Sequence, residues 1–286
     1  MDERQIAALV DEIIRELEGQ NGAGRSSRAD DDTQIKASEA VRGGRCLVKG
    51  AHEYGNLKDI IKASTSARLG VGRCGPRPLT DALLSFQEDH AAAQDAIFLR
   101  VNEEFVNRLG LTYLKSRVSD INEHLTRPDL GRRLNEESEH ILRTKGVKNP
   151  QVQLIVADGL SSTAIESNAP ELLPFLQQGL ERAGLTVGTP VFVEFGRVGV
   201  MDHIGEIVNA ESAILLIGER PGLATAESMS AYLEYEPRLG KTDANRIVVS
   251  NIHKGGLVPA EAGAEILELI QKILREKQSG VGAKLD

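Results

Sequence analysis

Four short stretches hold residue types able to do chemistry, and each follows an apolar run. They are "ADGLSST" (157–163), "GRVGVMD" (196–202), "GERPGL" (218–223) and "NIHKGG" (251–256). In the third, Ile214, Leu215, Leu216 and Ile217 stop at Gly218, and Glu219, Arg220, Pro221 and Gly222 follow. A buried run that ends in small, charged and turn-forming residues reads as an interior strand handing its carboxyl end to a loop. Gly218 and Gly222 permit close backbone approach, Pro221 stiffens the turn, and Glu219 offers an acceptor to a polar ligand. Taken alone, such a loop is more often a solvated turn in which Glu219 and Arg220 pair with each other. Four of them on one sheet edge favour a binding site.

Catalytic groups are harder to find. The chain has two cysteines, Cys46 and Cys74, and six scattered histidines, with no H-E-x-x-H, C-x-x-C or G-x-S-x-G spacing. No catalytic residue and no metal ligand is therefore assigned. Binding loops without catalytic groups suggest a subunit that holds a cofactor for a partner.

Two near-motifs are discounted. "GVGRCG" (70–75) fits G-x-G-x-x-G, yet it follows the helical "LKDIIKASTSARL" and lacks the strand a dinucleotide fingerprint needs. Arg68, Arg73 and Arg77 around it are read as solvated arginines of an inter-helix turn. "NIHKGG" is similar to the D-x-H-x-x-G of corrinoid proteins whose histidine binds cobalt, but Asn251 replaces the aspartate that would orient the imidazole. His253 is therefore read as a hydrogen-bonding or capping group.

The elements that must position these loops alternate. "VQLIV" (152–156), "VFVEF" (191–195), "AILLI" (213–217) and "RIVVS" (246–250) read as strands. "ELLPFLQQGLERAG", "DHIGEIVNA" and "SMSAYLEY" read as intervening helices, and "PAEAGAEILELIQKILREK" as a final one. The fold class expected is α/β, a mainly parallel sheet covered by helices, Rossmann-like and doubly wound, with a helical N-terminal region. Ligands of such sheets bind outside the carboxyl ends of the strands.

Residues 1–19 place Ile6, Leu9, Val10, Ile13, Ile14 and Leu17 on one helical face, and 20–45 read as a flexible linker. Residues 46–150 read as mainly helical, with a helix start at Pro78, Thr80 and Asp81, and 151–286 as the α/β domain. The tethered helix either folds back on its own domain or docks in a partner's groove, and the linker favours the partner.

Composition removes several function classes. With 42 acidic against 34 basic residues the formal charge is -8, which disfavours general affinity for nucleic acid or an anionic membrane. Aromatic content of 3% disfavours base stacking as the main activity. No apolar stretch approaches the roughly 20 residues of a membrane span, and no leader-like N-terminus is seen, so a cytoplasmic, reduced chain is expected.

Across these features the chain resembles the small (light) subunit of ethanolamine ammonia-lyase. The resemblance rests on "ARLGVGRCGPRP", "LTRPDLGRRL", "VADGLSSTAI", "VGTPVFVEFGRV", "IGEI", "LLIGERPGL", "YEPR" and "SNIHKGG", in order from about residue 65 to 280. It implies adenosylcobalamin as cofactor, held at the interface with a catalytic large subunit, and conversion of ethanolamine to acetaldehyde and ammonia. The corrinoid contacts it implies fall on Val198, Glu219 and Val248. A member of the family carries Cys at the last position, so Val248 keeps a packing contact but not one through sulfur. It further implies that cobalamin keeps its own base on cobalt, that the assembly is a hexamer of heterodimers, and that the N-terminal helix meets a bacterial microcompartment shell protein, placing the enzyme in the lumen. The alternatives are a stand-alone α/β nucleotide- or phosphate-binding protein, with Arg68, Arg73 and Arg77 as its candidate contacts, and a purely structural assembly subunit.

Overall fold

The structure is a computed structural model that describes residues 60, 61 and 69–283. The expected N-terminal helix (1–19), the linker (20–45), Cys46 and Arg68 lie outside the described residues. The described chain divides into two compact units, one of residues 96–220 and 227–283 and a smaller one of 60–61, 69–95 and 221–226.

The smaller unit contains a hairpin, β1 (Arg73–Cys74) against β2 (Arg77–Pro78), and most of helix α1 (Thr80–Phe98). The helix begins where Pro78, Thr80 and Asp81 predict it. "GVGRCG" runs into the hairpin rather than linking a strand to a helix, and Arg73 and Arg77 are exposed.

The larger unit is built on a six-stranded sheet of order β3-β5-β4-β6-β7-β8. Its strands are β3 (Thr112–Lys115), β4 (Val152–Ala157), β5 (Val191–Glu194), β6 (Ser212–Gly218), β7 (Met229–Tyr235) and β8 (Arg246–Ile252). The helices are α2 (Glu103–Arg108), α3 (Ile121–Thr126), α4 (Glu136–Lys145), α5 (Ser162–Arg182), α6 (Val200–Val208) and α7 (Pro259–Glu276). β3, β5, β4 and β6 are parallel, whereas β7 is antiparallel to both β6 and β8.

The α/β class therefore holds, and two expectations are corrected. "SMSAYLEY" is strand β7, not a helix. Met229, Ala231 and Leu233 point into one core while Tyr232 packs toward the other, which is a period of two. With β7 reversed the sheet is mixed rather than mainly parallel, and its strand order differs from the 3-2-1-4-5-6 of the Rossmann fold. β3 adds an edge strand from within the stretch that reads as helical.

Both faces carry a core, as the uninterrupted burial of β4 and β6 requires. On the first face Leu154, Val156, Ile214 and Leu216 pack with Leu172 and Leu176 of α5 and Ile266 and Ile270 of α7. On the second, Ile155, Ala157, Leu215 and Ile217 pack with Leu142 of α4 and Ile204 and Val208 of α6. Register puts Val248 opposite Tyr232, and Tyr232 opposite Leu215, on the second face. There the cover runs out, and Val248 is 50% exposed.

Candidate functional site

Four parallel strands, and β8 reversed twice relative to β6, bring their carboxyl ends to one edge. The four loops singled out in the sequence all begin there. β4 continues into α5 on the first face and its neighbour β5 into α6 on the second, so the chain leaves the edge in opposite directions and opens a crevice.

Asp158 stands at that divergence. Its Oδ2 accepts from the Phe195 N–H at 2.9 Å and its Oδ1 from the Gly196 N–H at 3.1 Å, tying the β4 loop to the β5 loop. Burial pushes its carboxyl up to about 7 against those two donors. Phe195 has a φ of 56°, a left-handed backbone that a bulky residue adopts only when its surroundings hold it there. Here the holding groups are Asp158 and Ser116, whose Oγ donates to the Phe195 carbonyl at 3.0 Å.

The β4 and β6 loops touch through backbone alone. Leu160 N donates to Gly218 O at 3.0 Å, and a Cβ on Gly218 would lie 2.1 Å from Ser161 O. Only glycine permits that approach. Ser161 caps α5 by accepting from Ala164 N, so the same residue starts the helix and bounds the loop.

His124 of α3 is buried against this frame. Its Nε2 meets Gly159 O at 2.6 Å, its ring lies 5.2 Å from that of Phe195, and its Nδ1 has no hydrogen-bond partner among the described residues. Nε2 therefore carries the proton toward the carbonyl, and burial lowers the imidazole to about 4, keeping it neutral.

Glu219 follows the last residue of β6. Its N–H donates to Ser228 O at 3.0 Å, and its Oε1 accepts from the Tyr232 hydroxyl at 3.3 Å. Burial and the neighbouring carboxylate push the Tyr232 phenol up to about 12, so it remains a donor. Tyr232 thus joins two of the positions singled out in sequence, hydrogen-bonding Glu219 and pairing across the ladder with Val248. Val198 and Tyr232 both pack on the second-face core. Glu219 thus leaves a second carboxylate oxygen without a hydrogen bond among the described residues, beside a half-exposed valine.

His253 is tied inside its own loop. Gly255 N donates to its Nδ1 at 3.0 Å, and its Nε2 donates to Asn251 Oδ1 at 2.8 Å. Asn251 itself adopts a φ of 62°. The imidazole shapes this loop, in line with its reading as a capping group.

Sequence reasoning named the loops but missed Tyr232, Asp158 and His124 as their organisers. Tyr232 sat in a stretch read as helix, and its alternating neighbours were the available signal. Asp158 lay within a quoted loop, but its backbone partners are 37 and 38 residues away.

Comparison with known proteins bears on this architecture. The model of the family "Ethanolamine ammonia-lyase light chain (EutC)" matches residues 56–284. The chain is 51% identical over 224 residues to the ethanolamine ammonia-lyase small subunit of Clostridium perfringens, covering 78% of this chain and 76% of that one. It is 53% identical over 224 residues to that of Fusobacterium nucleatum, with the same coverage of 78% and 76%. Against the small subunit of Clostridioides difficile it is 41% identical over 297 residues, covering 99% of this chain and 100% of its relative. The chain belongs to the ethanolamine ammonia-lyase small-subunit family.

Proposed function

We propose that this chain works as the small subunit of an adenosylcobalamin-dependent ethanolamine ammonia-lyase and holds the corrinoid against a catalytic large subunit. The observation that carries the reading is the Tyr232 junction, where a carboxylate acceptor, Glu219, and an exposed apolar residue, Val248, flank one side chain at the strand edge. The bound cofactor supplies adenosyl radical chemistry, by which ethanolamine becomes acetaldehyde and ammonia with the large subunit's substrate site.

The residues of this chain position and shield. Glu219 accepts a hydrogen bond from a peripheral amide of the ring, and Tyr232 directs that carboxylate by donating to Oε1. Val248 and Val198 supply apolar contact that excludes water from the ring edge. Asp158 keeps the β4 and β5 loops in register beneath them. Cobalt takes no ligand from this chain, since the His253 ring nitrogens are engaged within their loop.

The working assembly is a hexamer of heterodimers, and residues 1–19 dock it to a microcompartment shell protein. Deaminase activity and adenosylcobalamin binding are to be measured for this chain, for its cognate large subunit, and for the two co-expressed. Activity and tight cofactor binding only in the mixture support the assignment. Nucleotide binding by this chain alone, without corrinoid binding by the pair, replaces it with the stand-alone module.

A further inference from the structure

Four arginines, Arg100, Arg132, Arg197 and Arg220, lie at the same sheet edge, and none of them forms an ion pair among the described residues. The Arg100 Cζ lies 4.2 Å from the centroid of the Phe195 ring. Arg197, two residues on, donates from its backbone to Gly131 O at 2.8 Å and from Nη2 to His124 O at 2.7 Å, while its buried Nε finds no acceptor among the described residues. Arg132 runs its aliphatic stem along the β5 loop, where a Cβ on Gly199 would lie 3.1 Å from its Cγ. Arg220 is exposed two residues beyond Gly218, which packs on the backbone of Asp158 and Ser161.

Arg117, Arg127, Arg143, Arg246 and Arg275 form ion pairs, whereas among the described residues these four form none. The acids that face them are already engaged. Asp158 is buried on two backbone donors, and Glu219 is bonded to Tyr232. Burial first, and then the like charges of Arg220 and Arg132, lower the Arg197 guanidinium below its ordinary range, against the opposing pull of the Asp158 carboxyl. Arg100 and Arg197 are half-buried and Arg132 and Arg220 exposed, and a set of guanidiniums without ion pairs is stabilised by an incoming anion.

The geometry points to a phosphate site at the β4–β5 crevice, in which Arg100, Arg132, Arg197 and Arg220 bind a phosphate group, either free or as an ester. A carboxylate has two oxygens and fills one guanidinium fork, whereas a phosphate offers three or four oxygens to several forks at once. One source is the phosphodiester in the nucleotide tail of cobalamin, which rests on the function proposed above. The other is free phosphate or a soluble phosphate ester, which does not.

The test uses the full chain, alone and assembled with its large subunit. Inorganic phosphate and pyrophosphate are titrated calorimetrically at low salt into wild type, Arg197→Gln, Arg220→Gln and Arg275→Gln. Arg275 is exposed near the end of α7, which runs back from this edge, and serves as the charge control. Binding of cobalamin and of cobinamide, which lacks the nucleotide tail, is measured on the same complexes. If the tail is the source, Arg197→Gln and Arg220→Gln weaken cobalamin about tenfold and leave cobinamide unchanged. If free phosphate is the source, the same variants weaken pyrophosphate about tenfold and spare both corrinoids. Arg275→Gln changes none of these. Absence of saturable phosphate binding together with an unchanged cobalamin-to-cobinamide ratio overturns the site, as does an equal loss in Arg275→Gln. Phosphate binding in a complex that binds no corrinoid leaves this site standing and removes the cofactor reading instead. Arg220 is exposed, so its variant keeps the test valid if Arg197→Gln fails to fold.

Discussion

Glu219 is half-buried, holds one hydrogen bond from Tyr232 and leaves its other carboxylate oxygen without a hydrogen bond among the described residues. Glu219→Ala is expected to weaken adenosylcobalamin binding to the assembled enzyme by about tenfold, the scale of one lost charge-assisted hydrogen bond. Thermal unfolding should barely move. Tyr232→Phe, which leaves the carboxylate but frees its orientation, should give a smaller loss of the same kind, and unchanged affinity in both variants would remove this pair from the site. Asp158 and His124 give the edge opposite pH dependences. The folded carboxyl of Asp158 is raised to about 7, so its contribution is complete below about pH 4 and is lost as pH rises toward 7. The folded imidazole of His124 is lowered to about 4, so its contribution is complete above about pH 6.5 and is lost as pH falls toward 4. Denaturant unfolding of Asp158→Asn from pH 4 to 8 should therefore lack one downward slope that wild type shows on the alkaline side. Parallel curves would show that Asp158 is ionised throughout. Glu219 was legible in sequence because it ends an apolar run, whereas Asp158 acquires its role from backbone donors distant in the chain.

At the scale of elements, the strand-end loops are held by backbone contacts that tolerate no side chain. Gly218→Ala would set a Cβ 2.1 Å from Ser161 O and 2.5 Å from Asp158 O. The expected cost is about 3 kcal/mol, comparable to severe overpacking, read as a fall in the urea midpoint with loss of cofactor binding. A stable, active Gly218→Ala would mean that the β4 and β6 loops separate more freely than this packing allows. β7 shows why element type was only partly readable. Its Met, Ala, Leu and Glu are good helix formers, yet Met229, Ala231 and Leu233 alternate into the first-face core, and the pairings with β6 and β8 override propensity. β3 is four residues with one buried, too short for any period to declare itself.

Across the whole of the larger unit, a buried ionic cluster fastens the β7–β8 ribbon to α6. Arg246 meets Asp202 at 2.5 Å and Glu234 at 3.0 Å and also pairs with Asp243, with the side chains of Arg246, Asp202 and Glu234 almost fully buried. Burial and then the adjacent Asp202 raise the Glu234 carboxyl, and Asp202 is raised by burial as well. Glu234 Oε1 lies 3.8 Å from Lys241 Nζ, Asp202 Oδ1 has no hydrogen-bond partner among the described residues, and Arg246 is the cation that meets both acids, so the negative charge of the pair leans on it. Arg246→Leu strands that charge and is expected to cost about 3–5 kcal/mol, seen as a lowered unfolding midpoint. A loss below about 1 kcal/mol would mean that the acids neutralise themselves. At the scale of the assembly, deleting residues 1–20 should abolish co-sedimentation with shells in a host that makes them while leaving deaminase activity intact. Retained encapsulation would assign that segment another role.

By itself the sequence determined the α/β class, four of the six strands of the main sheet, the four loops at their carboxyl ends and the family, because long apolar runs and their glycine-rich endings are local patterns. Val198, Glu219 and Val248 were singled out as the corrinoid contacts that the family resemblance implies. Only the tertiary structure decided that β7 is an antiparallel strand, that Tyr232 stands between Glu219 and Val248, and that Arg100, Arg132, Arg197 and Arg220 come to one sheet edge without ion pairs among the described residues. Those outcomes depend on strand pairing and on charges brought together across more than a hundred residues of chain. No local pattern encodes such proximity, because its energy exists only once the sheet has closed.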